Sequence, residues 1–159
     1  MTGTPEVRRL SGALGAEVRG VSLGKVGPAE AEPVQALLME HQVLFFPEQY
    51  VTPEEHIAFG RHFGSIEGHP HLNNLPDYPE ILRLEASRGG VADEWHSDIT
   101  FQKQPSVMAI LNMVKCPEIG GDTMWANMYA AYEAMSAPLQ EMCEGPVSYT
   151  HLRAHETRE

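Results

Sequence analysis

Residues 94–101, Glu94-Trp95-His96-Ser97-Asp98-Ile99-Thr100-Phe101, set an imidazole and a carboxylate two positions apart inside a stretch that reads as a β-strand. Alternate side chains of a strand share a face, so His96 and Asp98 are expected to converge on one point. A neutral imidazole and a carboxylate placed together chelate divalent metals. They are two thirds of the 2-His-1-carboxylate facial triad, which holds non-haem iron(II) on one side and leaves positions open for substrate and dioxygen. An isolated H-x-D is a weak signal, because most such pairs are surface neighbours, so its weight depends on what surrounds it.

Downstream, a hydrophobic strand is expected over 107–114. Gly120-Gly121 then turns the chain into a strand over 122–126, and Asn127 is placed to cap an Ala-rich helix reaching about Met135. Ser136 with Pro138 starts a second short helix, closed by Gly145. Upstream, a strand is expected over 81–84, preceded over 65–79 by a loop dense in Gly, Pro, Asn and His, of a length that often carries function.

Thr52-Pro53-Glu54-Glu55 has the form of a capping box and predicts a helix from 53 to about 63, ended by Gly64. Val43-Leu44-Phe45-Phe46 predicts a short buried strand stopped by Pro47. Helical spacing of Val34, Leu37, Leu38 and His41 begins at about Pro33, a residue tolerated in a first turn. Leu14, Ala16, Val18, Val21 and Leu23 read as short strands and turns at a sheet edge. His41, His56 and His62 fall on the predicted helices and are expected on their surfaces.

The bulk properties describe one globular domain: 159 residues, 42% hydrophobic and 21% charged. A formal charge of -11, from 22 acidic against 11 basic residues and without a Lys/Arg cluster, excludes phosphate backbones and anionic bilayers as natural partners. Cys116 and Cys143 stand too far apart for a zinc ribbon or a disulfide framework, which suits a reducing cytoplasm. The first residues show no apolar export signal, and no segment approaches the ~20 apolar residues of a membrane span.

Taken together, Trp95 to Phe101, Pro105, the hydrophobic 107–114, Pro117 and Gly120-Gly121-Asp122-Thr123-Met124-Trp125-Ala126-Asn127 resemble the taurine dioxygenase family of iron(II)/2-oxoglutarate oxygenases. The likeness runs back through Leu14-Gly15-Ala16-Glu17-Val18, Phe63-Gly64 and His69-Pro70, covering about residues 7–145. It implies a mixed α/β, mainly β fold, a double-stranded β-helix (jelly-roll, cupin-like) core with flanking helices, incomplete in this chain. It also implies that His96 and Asp98 bind iron(II), that Thr123 hydrogen-bonds the distal carboxylate of 2-oxoglutarate, and that His69 meets an anionic group of the substrate. Ile99 stands open between a pocket wall and core packing.

The implied reaction is hydroxylation of a small anionic molecule (a sulfonate, sulfate ester or aryloxy carboxylate), with succinate and carbon dioxide as coproducts. Leu72 and Ala92 depart from the taurine enzyme at positions where an aromatic and an amide are expected, which turns the expectation away from taurine. Partners beyond the small molecule are not expected among nucleic acids or membranes, and a homo-oligomer stays open. The family's distal His and its following Arg have no counterpart in the matching region. His151, Arg153, His155 and Arg158 lie in 146–159, a tail that reads as foreign to the family portion 1–145. Two alternatives therefore remain: a noncatalytic fragment, and a cupin-like metal protein that does not use 2-oxoglutarate.

Overall fold

The computed structural model describes residues 5–68, 74–85, 94–100 and 102–144, and these fall into two compact units. The first comprises residues up to 65 together with 112–144, the second 66–111.

The first unit is built on strands β1 (Glu6–Arg9) and β2 (Ala16–Arg19), paired antiparallel with Val7 opposite Val18, and β3 (Leu44–Phe45), which joins β2 in parallel. Burial alternates along β2: Ala16 and Val18 are fully buried while Glu17 and Arg19 point outward. The stretch expected at a sheet edge is thus the central strand, and β1 forms the edge.

Helix α1 (Pro28–His41) crosses between β2 and β3, the right length of connection for a parallel pair. It begins one turn earlier than the apolar spacing suggests, because the Glu30 carboxylate accepts from the Gly27 N–H at 3.0 Å and secures a start ahead of Pro33. Ala31 and Val34 supply its buried face, and His41, expected on the surface, is buried at the helix end.

The capping box forms as expected: Thr52 Oγ accepts from Glu55 N–H at 3.2 Å, and Glu55 accepts from Thr52 N–H at 2.8 Å. It starts α2 (Pro53–Gly60), which ends three residues before the expected limit; turns carry the chain on to Gly64. Ile57 and Phe59 bury its inner face, and the Phe59 ring meets Phe46 and Phe63 edge-on. The Gln49 amide ties this layer together, accepting from Leu23 N–H and donating to the Val21 carbonyl, both at 3.0 Å.

Helices α3 (Met128–Glu133) and α4 (Ala137–Glu144) complete the unit, with Asn127 capping α3 through Ala130 N–H at 2.9 Å. Tyr132 donates to Glu144 across the pair at 2.7 Å.

The second unit contains a hairpin of β4 (Asn74–Leu75) and β5 (Tyr78–Leu82), the latter overlapping the strand expected at 81–84. Of the described residues in 94–126, none lies in a strand, so the strands expected at 94–101, 107–114 and 122–126 are not formed there. The mixed α/β expectation holds, but among the described residues helix outweighs strand.

Candidate metal centre

His96 and Asp98 meet through a turn rather than a strand. Residues 95–97 are irregular and 98–100 are in a turn, closed by Gln102 N–H on the Ile99 carbonyl at 3.1 Å. The physical reason sits at Ile99, whose φ of +53° is left-handed. No strand accommodates that value, and a β-branched residue adopts it at a cost of about 1–2 kcal/mol.

The donors converge all the same. His96 Nε2 stands 3.3 Å from Asp98 Oδ1, and His96 Nδ1 lies 2.8 Å from the Glu94 carbonyl oxygen. A carbonyl only accepts, so Nδ1 carries the hydrogen and the neutral ring presents its lone pair at Nε2. A lone pair and a carboxylate oxygen this close require a positive centre, either a proton on Nε2 or a metal ion.

The pair fits a metal. Neighbouring ligands at about 2.1 Å from an octahedral ion stand about 3.0 Å apart, near the observed separation. A carbonyl on the far ring nitrogen is the usual support of a metal-bound imidazole. Both side chains are accessible, His96 at 32% and Asp98 at 50% exposure. No cluster of three His, Cys, Asp or Glu residues occurs among the described residues, so the centre has two donors there. Asp98 also lines an open cavity of about 380 Å³, where the hydroxyl residues Ser97, Thr100 and Ser106 stand with Pro105 and Val107. Ile99 is half-buried and is not among the residues lining that cavity.

Thr123 belongs to the first unit and is exposed. Gly120 and Gly121, with φ of +80° and +75°, provide a left-handed turn open to few other residues, and a Cβ on Gly121 would lie 3.3 Å from Pro117. Beyond Thr123, Trp125 packs edge-on against Phe45 with centroids 5.3 Å apart, and Asn127 donates to the Ala13 carbonyl at 2.7 Å. Thr123 is therefore held between a glycine turn and two anchors, one on β3 and one in the connection between β1 and β2. Neither anchor was legible in the sequence, since each joins residues some eighty or more positions apart.

His69, Leu72 and Ala92 lie outside the described residues, as do His151, Arg153, His155 and Arg158. Gly68 precedes His69 where a Cβ would collide with the Pro79 carbonyl, so only glycine brings the chain past β5 at that point.

The model of the family described as "Taurine catabolism dioxygenase TauD, TfdA family" matches residues 6–158. The chain belongs to this TauD/TfdA family. An alpha-ketoglutarate-dependent sulfate ester dioxygenase from Pseudomonas putida is 35% identical over 141 residues, covering 87% of this chain and 47% of that protein. An alkylsulfatase from Acinetobacter baylyi is 34% identical, with 87% and 44% covered. The crystal structure of a taurine dioxygenase from Burkholderia xenovorans superposes with a TM-score of 0.71 at 34% identity, over 90% of this chain and 52% of that one. The chain thus spans about half the length of the TauD/TfdA relatives it matches.

Proposed function

We propose that these residues form the first half of an iron(II)- and 2-oxoglutarate-dependent dioxygenase. The observation that carries the reading is the 3.3 Å approach of His96 Nε2 to Asp98 Oδ1, with Nδ1 anchored on the Glu94 carbonyl. Iron(II), when bound, would supply dioxygen activation coupled to 2-oxoglutarate decarboxylation, the chemistry needed to hydroxylate a C–H bond. The protein's own residues prepare for this. His96 and Asp98 hold the ion from one side, and the Glu94 carbonyl keeps the imidazole in the tautomer that can ligate. The Thr123 hydroxyl donates to the distal carboxylate of 2-oxoglutarate. His69 takes the anionic group of the substrate, and Ile99, half-buried and off the cavity lining beside Asp98, stands closer to the packing role than to a pocket wall.

The substrate class is a small organic anion, a sulfate ester, sulfonate or aryloxy carboxylate. The likeness to a sulfate ester dioxygenase and an alkylsulfatase supports the first of these, and Leu72 and Ala92 turn the choice away from taurine. The core of the whole domain is a jelly roll, whose remaining strands, third ligand and 2-oxoglutarate-binding Arg come from sequence beyond the family portion 1–145. The tail 146–159 is proposed to be foreign on its lack of hydrophobic periodicity and on the stretch Ser148 to Glu159, which has no family-like surroundings; the family match runs into it as far as residue 158. Peptide mass spectrometry of the natural protein decides that point.

A cytoplasmic enzyme without nucleic-acid or membrane partners fits the acidic composition, and self-association remains part of the proposal. No helix among the described residues is long and apolar enough to cross a membrane.

The test is Asp98→Ala in a protein extended to the relatives' full length. Losing even an outer support of a ligand costs about 10–100-fold, so removing the ligand is expected to take succinate release from 2-oxoglutarate to background. Near-normal release would overturn the site. The two-donor centre among the described residues favours a second reading for this chain by itself, a noncatalytic fragment. Anaerobic titration with iron(II) and 2-oxoglutarate separates the two, because an intact site gives a visible charge-transfer band.

A further inference from the structure

Asn127 does more than cap α3. Its Oδ1 accepts from Ala130 N–H at 2.9 Å, which is the cap, while its Nδ2 donates to the Ala13 carbonyl at 2.7 Å, a partner 114 positions away. A cap needs only the acceptor, so the second bond has no part in starting the helix. The ground it reaches is firm. Ser11 Oγ accepts from Ala13 N–H at 3.2 Å and from Leu14 N–H at 3.1 Å, and donates to the Leu14 carbonyl at 2.6 Å. Leu10 N–H on the Gly15 carbonyl at 2.9 Å closes this connection between β1 and β2.

The segment that this bond holds is placed by little else. Residues 120–126 are all exposed and lie outside helix and strand, so burial does not fix them. Trp125 meets Phe45 edge-on, but such ring contacts tolerate centroid separations over about 4.5–7 Å. A hydrogen bond is confined to a few tenths of an ångström around its optimum of about 2.9 Å. The Asn127 bond therefore sets the end of the stretch bearing Thr123 far more closely than the ring contact does. We propose that Asn127 is a positioning residue for 2-oxoglutarate, its bond to the Ala13 carbonyl setting the Thr123 hydroxyl where the distal carboxylate is to be met. The inference rests on the reading of Thr123 above.

Asp and Ser cap helices as well as Asn does, yet neither can make the second bond. An ionised Asp has no hydrogen to donate, and Ser has a single polar atom where Asn has two. In the protein extended to the relatives' full length, Asn127→Asp and Asn127→Ser should each raise the KM for 2-oxoglutarate about fivefold, roughly the worth of one neutral hydrogen bond. The kcat at saturating 2-oxoglutarate and the KM for the hydroxylated substrate should stay near the parent's. A second readout uses the present chain without iron or 2-oxoglutarate: both variants should increase acrylamide quenching of Trp125, read in a Trp95→Phe background, with far-ultraviolet circular dichroism unchanged. If either readout matches the parent in both variants, the proposal is overturned and Asn127 is a cap alone. An effect confined to Asn127→Asp overturns it too, by assigning the loss to the added charge. Thr123→Val keeps this failure apart from failure of the 2-oxoglutarate reading. An unchanged KM in that variant removes the role of Thr123 and the proposal with it, whereas a raised KM beside unaffected Asn127 variants removes the tether alone.

Discussion

Residues 5–65 and residues 94–114 are similarly apolar, but only the first region satisfies itself. There, β1 and β2 pair across a short connection, α1 returns β3 to the same sheet, and Gln49 closes two backbone groups of its own layer. In the second region Trp95 is 67% and Val107 94% exposed, and the turn at Ile99 is held in a left-handed conformation. The difference shows that the scaffold of residues 5–65 buries its apolar side chains among its own elements, whereas the segment bearing the metal donors leaves large apolar side chains exposed.

The sharpest way to break that contrast is to remove one side chain from each region. Phe59 is 5% exposed, with ring centroids 5.1 Å from Phe63 and 6.3 Å from Phe46. Phe59→Ala should cost about 3–5 kcal/mol in urea denaturation. Val107→Ala, on the open face, should stay within about 0.5 kcal/mol. Equal costs would mean that the second region is packed as well as the first.

A smaller effect is expected at the start of α2. Thr52→Ala removes the acceptor for Glu55 N–H, while the backbone N–H of residue 52 still donates to the Glu55 carboxylate. A loss of about 1 kcal/mol should follow. Thr52→Ser, which keeps the hydroxyl, should recover most of it, and a failure to do so would assign the loss to packing of the methyl group.

These caps were legible because their chemistry is local: Thr52 with Glu55 and Asn127 with Ala130 lie three positions apart, and the residue types alone state the bond. The early start of α1 escaped because Gly27 offers no side chain to signal a cap, and the Glu30 carboxylate does the work instead. The expected strands at 94–101, 107–114 and 122–126 failed for a different reason. Strand propensity reports how well a side chain packs on a half-buried pleated surface, and Val107, Val114 and Met124 in these stretches are exposed. The convergence of His96 and Asp98 was legible from their spacing, but its geometry was not, since a left-handed Ile99 turns the chain where alternation alone predicts an extended one.

The smallest expected effect lies on the outer face of the self-sufficient region. The Glu17 carboxylate accepts from Arg8 at 2.8 Å and from Arg19 at 2.6 Å, and these bonds, Arg8 first, hold its pKa below the ordinary 4.5. A carboxyl that ionises more readily in the folded protein binds fewer protons there than in the unfolded chain between the two values. Its stabilising contribution is therefore complete above pH ~4.5 and disappears as the pH falls through the depressed folded value. Glu17→Gln should be slightly less stable than the parent at pH 7, and the gap should close in acid. High salt should narrow it at pH 7, since the Debye length at 1 M is about 3 Å and the arginines are exposed. A gap that persisted unchanged at low pH would place the contribution of Glu17 in the packing of its stem over the sheet, with the two arginines contributing nothing through charge.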